Sequence, residues 1–206
     1  MPDATFPVQL KQAVLALQHL LSIGISPRNI QLGGDSAGGN LILQLISHAL
    51  HPVESVPVLK LDTPLRGAYL MSPWVQLDGN EKFASFKIEH DILSPSTAIS
   101  WGQEVLATGI PDKFTPYIQP LKAPERWFQG VDQIVERLLI TTGNLDLLRD
   151  QGMEFKAVVE KHHSDVRFIL QPNGVHDGPF FDFITRKPDV TRLTLDIVEW
   201  FASGFY

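Results

Sequence analysis

Apolar residues recur near the start of the chain at Leu10, Val14, Leu17 and then Leu20 or Leu21. Steps of three and four residues gather them on one face of a helix over 8–23, which Gly24 closes. The run NIQLG at 29–33 is too short for a helix and reads as a strand. Leu41, Ile42, Leu45, Ile46 and Ala49 then restore a helical period over 40–50. AYLMSPW at 68–74 predicts a second buried strand that stops at Ser72-Pro73. The stretch 77–124 is less regular, with one helix expected over 96–107. The last third alternates again: a strand at 138–142 (LLITT), a helix over 147–162, a strand at 166–170 (VRFIL) and a helix over 189–201. Strands alternating with helices of this length predict an α/β fold, a mostly parallel sheet with helices on both faces. In such sheets ligand chemistry gathers at the carboxyl ends of the strands. A chain of 206 residues suits one domain, 1–206.

Composition narrows the partners. The chain is 44% hydrophobic and 19% charged, and its net charge of -6 is spread out, so neither nucleic acid nor an anionic membrane is expected. The absence of cysteine excludes disulfides, thiolate zinc sites and a thiol nucleophile. The opening MPDATFPVQL lacks the pattern of a signal peptide, and no apolar run nears the roughly 20 residues that span a bilayer. A soluble, cytoplasmic protein is the expectation.

Chemistry enters at Gly34-Asp35-Ser36-Ala37-Gly38, a G-x-S-x-G stretch at the junction of a predicted strand and a predicted helix. In a nucleophile elbow the serine occupies a strained turn, and small flanking residues let the backbone pass close by. Gly34 and Gly38 fit that need, with Gly33 and Gly39 beyond them. The helix that follows aims its free N–H groups and positive dipole end at a developing oxyanion, with the Ala37 N–H as first donor. Asp35 is read as structural.

A serine hydroxyl needs a histidine base and an acid to orient it. Among seven histidines, His19, His48, His51, His162 and His163 lie on or near helices and read as surface or capping residues. His176 differs, sitting in the turn-rich PNGVHDGP just after a predicted strand. Asp146, in TTGNLDLLRD, follows another strand at an equivalent place. Asp150 is the competing acid, with pairing to Arg149 as its other reading, while Asp177 and Asp182 are too near His176 in sequence to orient it easily. The order Ser36, Asp146, His176 is that of the α/β-hydrolase group.

These residues resemble the hormone-sensitive-lipase-like branch of the α/β-hydrolase esterases, also called the α/β hydrolase fold-3 family. The likeness rests on GGDSAGGNL, on GNLDLLRD and on NGVHDGPFFD, with Pro2-Asp3 and Phe6-Pro7 matching pairs that open the helix before the elbow. FTPYIQPLKAPERWF gives the chain the look of fungal members, some of which are carboxylesterases of secondary metabolism. The resemblance covers this whole chain but only the second part of the family's. It therefore implies a partial α/β-hydrolase fold whose first strands, part of the cap and His-Gly-Gly-Gly oxyanion loop are missing. The strand carrying the elbow is then expected to have an unpaired edge.

The resemblance implies a serine carboxylesterase for small to medium esters, with Ser36, Asp146 and His176 as triad, Ala37 in the oxyanion hole, and neither metal nor organic cofactor. The alternatives are a hydrolase-fold protein that binds ligand without turnover, an amidase, peptidase or lyase on the same nucleophile, and a truncated gene product. Trp74, Phe83, Phe86 and Trp101 are pocket candidates, with the core as their other reading.

Overall fold

The computed structural model describes residues 4–185 and 189–206, so the Pro2-Asp3 pair falls outside the described residues. Strands β1 (Gln31–Asp35), β2 (Gly67–Met71), β3 (Leu138–Gly143) and β4 (Val166–Gln171) form a four-stranded sheet in the order β1-β2-β3-β4. Every pairing is parallel, with Asp35 opposite Met71 and Gly143 opposite Gln171. The carboxyl ends therefore share one rim.

Parallel strands buried on both faces are nearly all apolar, and β2 and β3 are buried throughout. Their period of two divides the side chains between two cores. Ala68, Leu70, Leu138 and Ile140 pack with Ile42 and Ile46 of helix α2 (Ala37–Leu50) and with Phe155 and Val159 of α5 (Arg149–Val159). Tyr69, Met71 and Leu139 face the other way, onto Trp200 of α7 (Arg192–Ser203). Helix α1 (Val8–Ser22) buries Leu10, Val14 and Leu17, the stripe its spacing predicts. The fold is thus the expected α/β arrangement.

Several boundaries differ from expectation, each for a local reason. Pro27–Asn29 form a 3-10 turn, and pairing with β2 holds the chain extended through Gly33, Gly34 and Asp35, so β1 lies two residues later. β2 ends at Met71 because Ser72 turns with φ 45° into Pro73. Helix α7 starts at Arg192, after Thr191, whose N–H and hydroxyl donate to the Asp182 carboxylate at 2.8 and 2.7 Å. Asp182 itself sits on a short helix, α6 (Pro179–Ile184), that the sequence pattern did not reveal. Among the described residues, β2 is the one strand paired with β1.

The irregular stretch contains α3 (Pro95–Leu106), whose cap Ser94 accepts the Thr97 N–H at 3.1 Å, and the short α4 (Thr115–Ile118). The backbone between β2 and α3 is held by side chains of α5: Gln151 accepts the N–H groups of Val75 and Gln76 at 3.1 and 3.0 Å, and Asp150 that of Ser85 at 2.8 Å. Among the described residues, no helix is long and apolar enough to cross a membrane.

Candidate active site

Each strand delivers one polar side chain to the shared rim, just past its carboxyl end: Ser36 after β1, Ser72 after β2, Asp146 after β3 and His176 after β4. Ser36 occupies φ 51°, ψ -112°, a region that L-residues avoid, between the last residue of β1 and the first of α2. Its N–H donates to Met71 at 2.8 Å, and its carbonyl accepts from Trp74 at 3.1 Å, so β2 and the following loop fix the turn. A Cβ at Gly34 would lie 2.5 Å from the carbonyl of Gly38, so that glycine is required. At Gly38 a Cβ would meet nothing nearer than Asp35 Oδ1 at 3.9 Å. The close approach thus constrains Gly34 alone, where the sequence suggested both.

Asp146 is fully buried. One carboxylate oxygen accepts from Thr142 Oγ1 at 2.7 Å, and the other from Leu148 N at 2.8 Å and from His176 Nδ1 at 3.1 Å. Burial pushes its pKa up, but hydrogen bonding and charge from His176, then Ser72 and the Leu148 N–H, outweigh it and hold the carboxyl below its ordinary value. Burial likewise works against the His176 imidazolium, while Asp146, Asp177 and Asp91 favour it, and the net pKa is raised. The bond from Nδ1–H to Asp146 leaves Nε2 as the outer nitrogen of the neutral ring.

Asp177 occupies that outer edge, with Oδ2 3.3 Å from His176 Nε2, despite its sequence proximity. It takes φ 52°, and its N–H donates to Ser72 Oγ at 3.2 Å. Burial, with repulsion from Asp35, Asp146 and Asp91 partly offset by His176, raises its pKa to about 7. Among the described residues no hydrogen bond joins Ser36 Oγ to the ring. Ser36, Asp146 and His176 thus share a rim, and the bonded pair is Asp146 with His176.

The other candidates take structural places. Asp150 pairs with Arg149 Nε at 2.7 Å and does not reach the imidazole. His48 and His163 are buried, a correction to their surface reading. In each, Nδ1 accepts a backbone N–H while Nε2 donates to a carbonyl, closing a loop. His19 is exposed, and His51 and His162 bond to the carbonyls of Trp127 and Glu125. Ser72 and Asp91 were not foreseen. A serine before a proline carries no catalytic spacing, though its place at a strand's carboxyl end was the available signal.

Beside the elbow lies a cavity of about 300 Å³, walled by Ala37 and Gly38 of α2 and by Phe6, Trp74, Leu77 and Val105. Trp101 lines a neighbouring hollow with Trp74 and Ala37. Phe83 and Phe86 are core residues instead, packed with Leu147 and Leu148. Among the described residues, no cluster of His, Asp or Glu is placed to hold a metal ion.

Residues 1–179 match a family model described as alpha/beta hydrolase fold. The chain is 26% identical over 202 residues to an esterase of Acinetobacter venetianus, covering 98% of this chain and 61% of that protein. It is 34% identical over 185 residues to mug81 of Schizosaccharomyces pombe, named as a steryl acetyl hydrolase, covering 86% of this chain and 46% of that one. It is 26% identical over 176 residues to an acetyl-hydrolase of Streptomyces hygroscopicus, covering 85% and 53%. The chain thus spans between 46% and 61% of the length of these relatives. A bacterial esterase of the hormone-sensitive lipase family superposes with a TM-score of 0.71 at 24% identity, covering 89% of this chain and 56% of that one. A hormone-sensitive lipase from a metagenome library gives 0.75 at 20%, covering 99% and 64%. At these identities the solved structures establish the fold.

Proposed function

The chain belongs to the α/β-hydrolase-fold family, and on that premise we propose that it is a serine carboxylesterase of the hormone-sensitive-lipase-like branch. The observation that carries this reading is the buried Asp146–His176 hydrogen bond on the rim where Ser36 occupies its strained turn. Esterases and acetyl hydrolases among the relatives point to the same class of reaction. Ser36 Oγ attacks the ester carbonyl carbon as its proton passes to His176 Nε2, and Asp146 stabilises the imidazolium that forms. The tetrahedral oxyanion is met by the N–H of Ala37, at the α2 end whose first-turn donors have no partner inside the helix. Collapse expels the alcohol, protonated by His176, and water then releases the acid from Ser36. Asp177 must leave Nε2 for this cycle to start.

The apolar cavity beside Ala37 suits the carbon chain of a small to medium ester. None of these steps calls on a metal or organic cofactor. We further read the enzyme as fungal, with support from the Schizosaccharomyces pombe relative, and as a cytoplasmic member of secondary metabolism, on the resemblance of its motifs. A second reading, ligand binding without turnover, draws on the carboxyl of Asp177 at the nitrogen that Ser36 needs. A fluorophosphonate probe separates the two. Covalent labelling that disappears in Ser36→Ala is the result expected of the esterase, whereas an unlabelled parent chain that still binds esters supports the second reading.

A further inference from the structure

Two loops from different strands carry Asp146 and His176, and strand pairing alone does not set the height of one loop against the other. The carboxylate of Asp91, in the irregular connection before α3, lies between them. Its Oδ2 accepts the N–H of Leu147, the residue after Asp146, at 2.6 Å. Its Oδ1 accepts the N–H of His176 at 2.8 Å and that of its neighbour Ile92 at 2.7 Å. One rigid carboxylate therefore assigns one oxygen to each loop. Bonds from N–H groups to an ionised carboxylate are shorter and stronger than neutral ones, so this bridge resists sliding of either loop.

We propose that Asp91 is a positioning residue, which holds the acid loop and the base loop in register by accepting the backbone N–H groups of Leu147 and His176. This rests on the esterase reading in naming Asp146 and His176 as acid and base. It also gives the long connection from Leu77 to Ser94 a role beyond covering the core, because that segment delivers Asp91 to the rim. Leu145 N to Gly174 O at 2.8 Å and Asn144 N to Gln171 O at 3.0 Å fix the roots of the loops, and Asp91 ties the backbone beside the Asp146–His176 bond at their tips.

The test compares Asp91→Asn and Asp91→Ala with the parent chain. Asparagine keeps the shape but has a single acceptor oxygen, so at most one loop stays bonded to it, and alanine bonds to neither. The readout is the far-downfield Nδ1–H proton resonance of the His176 imidazole, assigned by its loss in His176→Gln, with a thermal melt run alongside. The proposal expects both variants to melt cooperatively near the parent temperature while the resonance broadens or vanishes. Labelling of Ser36 by fluorophosphonate is then expected to slow by about 10- to 100-fold, since a misplacement near 1 Å costs on the order of 10². A resonance unchanged in both variants overturns the proposal, as does failure of both to fold, which assigns Asp91 to global stability. A parent chain that shows the resonance but takes no label counts against the esterase reading alone, and the resonance still decides the role of Asp91.

Discussion

The carboxyl of Asp177 lies 3.3 Å from Nε2 of His176, on the edge of the ring away from Asp146. With a pKa near 7 in the folded protein against an ordinary 3.8, Asp177 keeps a proton that the unfolded chain has already released. The contribution of Asp177 to folding stability therefore falls as pH rises from about 4 to about 7 and is level above that. Asp177→Asn removes the loss and is expected to stabilise the protein above pH 7 by at most about 4 kcal/mol, with no gain near pH 4. Thermal melts across that range measure it, and a gain of equal size at both ends contradicts the assignment.

Asp146, at the opposite edge of the ring, is shifted the opposite way, while His176 follows Asp177 in losing stability as pH rises. The pKa of His176 is raised above 6.5, so the stability of its charged form is fully present below that value and is lost as pH rises through the folded pKa. The lowered pKa of Asp146 stabilises above its unfolded 3.8 and is lost as pH falls through the folded value. The proposed mechanism uses neutral His176 as the base, so labelling of Ser36 is expected to climb with pH around a midpoint above 6.5. Asp146→Asn should move that midpoint down and slow labelling by up to about 10⁴-fold. An unmoved midpoint would detach Asp146 from the base.

Gly34 and Gly38 make an unequal pair. Gly34→Ala places a Cβ 2.5 Å from backbone that cannot swing aside, and a loss of roughly 1–3 kcal/mol is expected. Gly38→Ala makes an ordinary contact with Asp35 on the first turn of α2 and is expected to be neutral or to gain up to about 1 kcal/mol. Denaturant unfolding of the two variants gives the comparison, and equal losses would contradict the packing argument.

The cavity beside Ala37 predicts how chain length is read. Each buried methylene is worth about 0.8 kcal/mol, so kcat/KM for p-nitrophenyl esters should rise by about fourfold per methylene until the space is full. Val105→Phe adds bulk to the wall and should move the optimum to shorter acyl chains. An optimum that stays in place would put the acyl chain elsewhere.

The elbow could be read from a short stretch because its geometry is local: Gly34 must lack a side chain, Ser36 must turn, and Ala37 must begin a helix. The layers were legible for a similar reason. A period of three to four along α1 and α2 records which face is buried, and burial on both faces makes β2 and the start of β3 continuous apolar runs. The chain after β2 resisted such reading because the backbone N–H groups of Val75, Leu77 and Ser85 donate to Gln151, Gln119 and Asp150, each more than 40 positions away. The Asp91 bridge spans 56 and 85 positions to Leu147 and His176 and leaves no period behind.

The sequence by itself determined the alternation of elements, the strained serine and the set of residues able to serve as base and acid. Only the tertiary structure decided that Asp146 bonds to His176, that Asp150 turns to Arg149, and that Asp177 lies at the outer nitrogen of the ring. Periodicity reports the burial of one element at a time. Hydrogen bonds between the ends of different strands depend on parallel register, which exists once the sheet has formed.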